Sequence, residues 1–170
     1  MQLVNIPIKR IKALIGENGD TKKEIQKRGD ISLEVTNDGT VTIESEDPFA
    51  EWKAVDVVKA IGRGFLPETA FKLFKDEYVL KLINLKEIFP KEKARFRQKA
   101  RIIGTKGKAK KEIEEISGAI ICVSGNTVGI IGEINEAILA EKGINMILKG
   151  VGHGNVFSVL RKEKKRLGIG

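Results

Sequence analysis

The sequence predicts an α+β protein made of two copies of one βααββα unit, each a three-stranded antiparallel sheet packed against helices. Three observations indicate this: the chain repeats at a shift of 88 residues, each copy has Gly-x-x-Gly between two helical segments, and each continues into a hairpin pattern. The shift superposes Gly16 and Gly19 on Gly104 and Gly107, and Lys-Lys-Glu-Ile follows in both copies. Such a repeat predicts two domains, residues 1–75 with a linker helix and residues 76–170 with a basic C-terminal extension.

The first half of the first copy follows from local patterns. Residues 2–8 form a β-branched run, which predicts a strand, and residues 8–15 have apolar side chains at spacings of three and four, which predicts a helix. Gly16 ends that helix, and Asp20 and Thr21 are predicted to cap the next one. The result is helix, Gly-x-x-Gly, helix.

The second half of the first copy is a hairpin and a helix. The phrases ISLEV, NDG and TVTIES are typical of a strand, a tight turn and a second strand. A helix over 49–61 is predicted to bury Trp52, Val55 and Val58 against the sheet. The linker at 66–76 also has a helical pattern.

The second copy is expected to repeat this order. Its predicted elements are a strand at 78–89, a basic helix at 92–103, a second helix at 108–117, a hairpin at 119–131 and a closing helix at 134–148. The chain has 5% aromatic residues, and Trp52 and most phenylalanines are expected in the core. This composition argues against an exposed aromatic platform for RNA bases.

The positive charge is concentrated in the second half. The formal net charge is +8, and residues 1–85 contain 13 Lys and Arg against 14 Asp and Glu, which leaves 18 against 9 for residues 86–170. Residues 91–111 include ten basic residues and one acidic residue, Glu92. This segment predicts a phosphate-binding surface, because solvated helix faces usually mix signs. The cluster at 161–166 fits either a phosphate contact or a plain charged face.

Other function classes lack the residues that they require. No apolar run approaches the roughly 20 residues of a membrane span, and the N-terminus has no signal-peptide pattern, so we expect a cytoplasmic protein without a membrane partner. A single cysteine, Cys122, and a single histidine, His153, argue against a disulfide and a structural zinc site. GTKGKAKK lacks the first glycine and the Ser/Thr of a P-loop, and no catalytic constellation is present. We expect a non-enzymatic protein without a cofactor.

The two helix, Ile-Gly-x-x-Gly, helix phrases, each within a βααββα unit, resemble the type I KH domain. The resemblance implies that each copy clamps about four nucleotides of single-stranded RNA or DNA at its Gly-x-x-Gly loop. In the second copy, the residues implied to bind RNA are Arg97, Arg101, Ile103, Gly104, Thr105, Lys106, Gly107, Lys108, Lys110 and Lys111. In the first copy they are Ile15, Gly16, Glu17, Asn18, Gly19, Lys22 and Lys23.

The chemistry of such a loop follows from its residue types. The glycines allow a sharp turn and a close approach of the sugar-phosphate chain, and amides at the start of the next helix face the phosphates. One lysine of each Lys-Lys pair fits either a phosphate contact or a solvated helix position. The isoleucines that follow these pairs are expected in the core more than in an aliphatic groove that holds the bases. Glu17 and Asp20 make the first loop acidic, whereas the second loop has Thr105 and Lys108 at the corresponding positions and Lys106 between them. The second copy is therefore predicted to be the main RNA-binding site.

Longer phrases resemble the archaeal Dim2-like family of tandem KH proteins. They include AIGRGF after the first unit and RIIGTKGKAKKEI in the second. The resemblance implies binding to small-subunit ribosomal RNA near its 3′ end during ribosome assembly, beside a nuclease or methyltransferase. Two alternatives remain open: a protein-interaction adaptor that uses one KH copy as a docking surface, and a general KH protein of RNA decay or transcription.

Overall fold

Two units make up the chain in the computed structural model, which describes residues 1–169. The first unit is Met1–Tyr78 and the second is Val79–Gly170. The predicted boundary, after residue 75, precedes this division by a few residues of chain. Each unit has its own sheet and its own buried core.

The first unit has the element order β, α, α, β, β, α, followed by a short linker helix. Its elements are β1 (Gln2–Asn5), α1 (Ile11–Ile15), α2 (Asp20–Gly29), β2 (Ser32–Val35), β3 (Thr40–Glu44), α3 (Pro48–Gly62) and α4 (Pro67–Ala70). Single 3₁₀ turns lie at Ile8–Arg10, Glu17–Gly19 and Phe71–Phe74. The predicted helix over the linker is thus divided between α4 and a 3₁₀ turn.

The sheet of the first unit has the order β1-β3-β2, and both strand pairs are antiparallel. Its register sets Val4 opposite Val41 and Leu33 opposite Ile43, and all four side chains are buried. Alternation along the strands places these residues on the face that the helices cover. The helices contribute Leu14, Ile25, Val57, Val58 and Ile61 to the same core.

The second unit repeats the order and adds two helices. Its elements are β4 (Tyr78–Asn84), α5 (Leu85–Ile88), α6 (Glu92–Ile103), α7 (Lys108–Ser117), β5 (Ile120–Ser124), β6 (Thr127–Glu133), α8 (Ile134–Leu148) and α9 (His153–Leu167). A 3₁₀ turn at Thr105–Gly107 joins α6 to α7. The strand order β4-β6-β5 corresponds to that of the first unit.

The C-terminal segment of the second unit is part of its core. Val156 and Leu160 of α9 are fully buried in the same apolar cluster as Ile113 and Ile144. The basic residues of the predicted extension thus belong to a helix that is packed against the unit through Val156 and Leu160.

Three predicted element ends were wrong. The strand expected over 78–89 ends at Asn84, because the Asn84 side chain accepts a hydrogen bond from the Lys86 N–H at 3.0 Å and caps α5. The strand expected over 2–8 ends at Asn5, before Pro7. The helix expected over 8–15 begins as a 3₁₀ turn and becomes α-helical at Ile11.

The core position predicted for Trp52 was also wrong. The buried face of α3 consists of Ala54, Val57, Val58 and Ile61, and Trp52 lies away from that face with 60% of its surface exposed. Val55 is half-buried. The prediction that most phenylalanines are in the core was wrong as well: of the seven, which all lie within residues 1–169, Phe65 is buried, four are half-buried, and Phe49 and Phe96 are largely exposed.

One hydrogen bond between a side chain and the backbone is repeated at the 88-residue shift. The Leu33 N–H donates to Gln26 Oε1 at 2.9 Å, and the Ile121 N–H donates to Glu114 Oε2 at 2.9 Å. Both donors and both acceptors correspond under the shift. In each unit this contact ties the helix after the Gly-x-x-Gly loop to the first strand of the hairpin.

Replacing Gly62 with alanine tests the packing of α3 on the first strand segment. A Cβ at Gly62 would lie 2.6 Å from Ile6 Cγ2 and 3.0 Å from Ile6 Cβ, and Ile6 is buried. We expect Gly62→Ala to lower the free energy of unfolding by about 1–3 kcal/mol. Gly154→Ala is the control, because nothing lies within 4 Å of a Cβ there. Equal stability changes in the two variants, measured by chemical denaturation, would contradict this packing.

Candidate nucleic-acid interface

The two Gly-x-x-Gly loops have the same backbone conformation. The first, third and fourth residues have positive φ: 77°, 55° and 76° for Gly16, Asn18 and Gly19, and 77°, 56° and 75° for Gly104, Lys106 and Gly107. Their hydrogen bonds also correspond, since the Gly16 N–H donates to Lys12 O and the Gly104 N–H to Ala100 O, both at 2.8 Å. Both loops are therefore built as one type of turn.

The first glycine of each loop lies against the helix that follows. A Cβ at Gly104 would lie 2.6 Å from Ala109 Cβ and 2.8 Å from Ala109 N, and a Cβ at Gly16 would lie 2.2 Å from Thr21 Oγ1. Both the positive φ and this contact require glycine. The first glycine thus sets how closely the two helices approach.

The second glycine faces open space. Nothing lies within 4 Å of a Cβ built on Gly107, and only Lys23 Cε, at 4.0 Å, is near one on Gly19. At these positions the positive φ alone favours glycine. The open side leaves room for another backbone to approach the loop.

The third residue differs between the loops. Asn18 tolerates the left-handed region well, because its short polar side chain bonds locally, whereas a lysine there costs roughly 1–2 kcal/mol. Lys106 has this conformation, and its side chain is exposed. Strain of this kind persists where a site needs a particular residue, and here the strained residue is a cation.

Both helices after the loops begin without a side-chain cap. The N-cap residues are Gly19 and Gly107, and neither α2 nor α7 has a capping side-chain hydrogen bond. The predicted caps, Asp20 and Thr21, are wrong, because both residues already belong to α2. The first turn of α2 contains Asp20, whereas the first turn of α7 contains no acid. The α7 amides therefore lie at the positive end of a helix with no local carboxylate.

The lysines at the start of α7 are not equivalent. Lys106, Lys108 and Lys111 are exposed and form no ion pair within residues 1–169. Lys110 is half-buried, and its Nζ lies 3.2 Å from Glu114 Oε1, the same carboxylate that binds the hairpin strand. In the first unit Lys22 is half-buried and Lys23 is exposed. The second loop thus has the larger uncompensated positive charge.

An apolar groove lies beside the second loop, between α6 and the β5-β6 hairpin. We define the base groove as the cavity of about 400 Å³ lined by Phe96, Lys99, Ala100, Ile103, Val123 and Gly125. The predicted groove residue Ile103 is in its lining and is 37% exposed. The predicted Ile15 is half-buried, and the isoleucines of the Lys-Lys-Glu-Ile phrases, Ile25 and Ile113, are fully buried core residues.

Arg101, predicted to contact RNA, has its guanidinium engaged inside the second unit. It donates from Nη1 to Ile147 O at 2.6 Å and from Nη2 to Val151 O at 2.8 Å, at the C-terminal end of α8. The guanidinium therefore has partners within the unit, and contact of Arg101 with RNA stays a prediction. Arg10 does the same in the first unit, donating to Ile61 O and Phe65 O at the end of α3. The 88-residue alignment could not reveal this pairing, because the two arginines occupy different positions relative to their loops.

The lone histidine is also structural. His153 Nε2 donates to Arg101 O at 2.8 Å, and its ring stacks on Phe157 with centroids 6.0 Å apart. Among residues 1–169, no three His, Cys, Asp or Glu side chains are grouped to hold a metal ion. In the same part of the chain, no helix is both long and apolar enough to cross a membrane.

The remaining predicted cations differ in their availability. Arg97 is exposed on α6. In α9, by contrast, Arg161 pairs with Glu112, and Arg166 pairs with Glu163. The hydrogen bond from Arg166 is the main reason that the pKa of Glu163 is lowered. Two of the five cations of the 161–166 cluster thus have an ion-pair partner within the unit.

Known proteins and families match this chain over most of its length. The family model for the second KH domain of PNO1, described as a eukaryotic type KH-domain (KH-domain type I), matches residues 79–165. A KH domain-containing protein of Methanocaldococcus jannaschii is 41% identical, over 98% of this chain and 75% of that protein.

Two solved structures from Pyrococcus horikoshii are similar in both sequence and fold. The crystal structure of its Dim2p has 43% identity and a TM-score of 0.85, covering 95% of this chain and 98% of that one. A crystal structure of an a/eIF2alpha, aDim2p and rRNA complex contains a chain with 44% identity and a TM-score of 0.89, covering 97% and 94%.

Replacing Arg101 with lysine separates a structural role from an electrostatic one. One ammonium cannot replace both guanidinium hydrogen bonds, so we expect Arg101→Lys to lower the free energy of unfolding by about 1–3 kcal/mol although the charge is kept. Arg97→Lys is the control and should leave stability unchanged. The measurement is denaturant unfolding followed by circular dichroism. Wild-type stability of Arg101→Lys would show that the guanidinium contacts are dispensable.

Proposed function

The chain belongs to the archaeal Dim2-like family of KH-domain RNA-binding proteins, and from that premise we propose that it grips single-stranded RNA mainly through its second unit. The Gly104–Gly107 loop holds the sugar-phosphate backbone, and the base groove receives the bases. Binding at the loop does not depend on the RNA sequence, because the loop contacts the sugar-phosphate backbone of the RNA. Selectivity comes from the groove.

The observation behind this proposal is the second loop itself. Three exposed lysines, Lys106, Lys108 and Lys111, lie around the uncapped start of α7 and have no ion pair with any residue of 1–169. The open side of Gly107 leaves room for a phosphate close to the amides. An apolar groove with an exposed isoleucine adjoins the loop. Phosphate binding and base burial are thus available within one short stretch of α6 and α7.

We also propose that the first unit is a second KH domain with an auxiliary role. Its strand order and loop dihedrals match those of the second unit. Glu17 is exposed in its loop, and Asp20 lies in the first turn of α2. These carboxylates repel a phosphate at the position where the second loop attracts one. The first loop therefore contributes less to affinity.

The proposed target is small-subunit ribosomal RNA near its 3′ end during ribosome assembly. In its support, the similar Pyrococcus horikoshii chain was crystallised with rRNA. Crosslinking of RNA to the protein in cells, followed by sequencing, tests this target. Reads spread over messenger RNA would favour a general KH protein of RNA decay or transcription instead.

A second function, as a protein-interaction adaptor, is favoured by one observation. The same Pyrococcus horikoshii complex contains a/eIF2alpha beside the RNA. We propose a partner of that class for this chain, with a nuclease or methyltransferase of RNA processing as further partners. A pull-down with the purified partner, with and without RNA, distinguishes direct contact from contact through RNA.

Acidic substitutions in the two loops test the division of labour. We expect Thr105→Asp with Lys106→Asp to remove most of the RNA affinity, because two carboxylates replace a cation beside the phosphate. The matched control, Glu17→Asp with Asn18→Asp, should cost much less. Both pairs should leave the circular dichroism spectrum unchanged. Equal losses at both loops, measured by fluorescence anisotropy, would refute the asymmetric model.

The salt dependence of a single variant tests the contact of Lys106. Lys106→Asn preserves the backbone, since Asn18 has the same conformation in the first loop. We expect the slope of log K against log salt to become less steep by about 0.7, the value for one phosphate contact on a single strand. An unchanged slope would mean that Lys106 does not reach a phosphate.

A further inference from the structure

Phe96 is an exposed aromatic side chain in the most basic part of the protein. It lies in the middle of α6, and 71% of its surface is exposed. No aromatic or cationic group is in ring contact with it within residues 1–169. A phenyl ring exposed to this degree contributes little to the core, and its face is accessible to a ligand.

Phe96 forms a wall shared by two cavities. On one side is the base groove. On the other is a cavity of about 610 Å³, which we call the α6 pocket, lined by Glu92, Lys93, Arg95, Phe96, Arg97, Lys99 and Asn126. Lys99 also belongs to both, and its Nζ donates to Gly125 O at 3.0 Å, which fixes the hairpin turn against α6. An RNA strand that leaves the base groove over Phe96 would therefore enter the α6 pocket directly.

The chemistry of the α6 pocket matches a nucleotide. Four of the seven residues that line the pocket are cations, and one of the seven, Glu92, is acidic. Arg95 is turned toward its own unit, donating from Nη1 to Phe89 O and Pro90 O at 2.9 and 2.8 Å. Lys93 and Arg97 are exposed, and the exposed Asn126 offers an amide for a base edge. The volume of the α6 pocket, about 610 Å³, is within the range of small-molecule sites.

The distance to the loop also fits one continuous strand. Phe96 and Ile103, at the end of α6 next to the loop, are separated by about 10 Å of helix. KH domains clamp about four nucleotides, so a site one step beyond the groove receives the next nucleotide.

We propose that the α6 pocket is an additional RNA subsite, in which a base outside the four-nucleotide clamp stacks on Phe96 and its phosphate contacts Lys93 or Arg97. This inference rests on the proposed function, since it extends the same bound strand. A protein partner is less well matched, because the wall is a single ring surrounded by cations, whereas protein interfaces are depleted of lysine.

Substitution of Phe96 with RNAs of two lengths tests this subsite. The probes are fluorescein-labelled oligouridylates, oligoadenylates and oligocytidylates of four and eight nucleotides. We expect Phe96→Leu to weaken binding of the tightest eight-nucleotide RNA by roughly five- to a hundredfold, the range for loss of one base-aromatic stack. Phe96 also lines the base groove, so the four-nucleotide RNA, followed by NMR at the Gly104–Gly107 amides, should lose affinity by a clearly smaller factor than the eight-nucleotide RNA. Phe96→Tyr should restore the eight-nucleotide affinity.

The matched control is Phe49→Leu. Phe49 is similarly exposed, at 69%, and belongs to α3 of the first unit, where its N–H donates to Oδ1 of the N-cap residue Asp47. We expect it to change neither affinity. If Phe96→Leu binds the eight-nucleotide RNA like the wild type, the subsite is refuted while the proposed function stands. Equal weakening of both lengths would assign Phe96 to the groove itself, and a wild type that binds none of the RNAs would overturn both proposals.

Tryptophan emission gives an independent readout of stacking. Trp52 is the single tryptophan of the chain, so the double substitution Trp52→Phe, Phe96→Trp places the only indole in the α6 pocket. The eight-nucleotide RNA should quench its emission more strongly than the four-nucleotide RNA, because residue 96 lines both the base groove and the α6 pocket. The wild type, whose indole is on α3, is the control. Absence of quenching at saturating eight-nucleotide RNA would contradict stacking.

Discussion

The contact between the first glycine of each loop and the helix that follows is the constraint on which both sites depend. Gly104 lies so close to Ala109 that no other residue fits, and Gly16 lies as close to Thr21. This contact fixes how the two helices diverge. The divergence in turn leaves the amides of the second helix uncapped and opens the space beside the second glycine. The phosphate site that we propose is therefore a consequence of packing, and the lysines add charge to a geometry that already exists.

The rest of each unit holds this geometry in place with side-chain to backbone contacts. Gln26 and Glu114 bind the hairpin strand from the helix after the loop, and Arg10 and Arg101 bind the carbonyls at the end of the closing helix. Such contacts satisfy polar backbone groups at element ends, which are costly to bury without partners. The helix before each loop is thus fastened to the closing helix, and the helix after it to the sheet.

Positive charge in the second unit has two separate uses. Arg101, Lys110 and Arg161 are engaged with carbonyls or carboxylates of their own unit, whereas Lys106, Lys108, Lys111 and Arg97 are exposed. An exposed cation contributes little to stability, and it interacts with a polyanion at little desolvation cost. The surface that we propose for RNA therefore includes fewer cations than the ten basic residues of 91–111, and it lies on α6 and at the start of α7.

The sequence by itself determined the repeat, the order of elements and the loops, because glycine spacing and apolar periodicity are local properties. It also predicted that the two loops differ in charge. Only the tertiary structure decided which charged and aromatic side chains are free. Arg101 was expected to contact RNA and is engaged with Ile147 and Val151, while Trp52 and Phe96 are exposed although aromatic residues usually enter the core. The physical reason is that burial and pairing depend on partners distant in sequence, such as the end of α8 for Arg101, and local patterns contain no information about them.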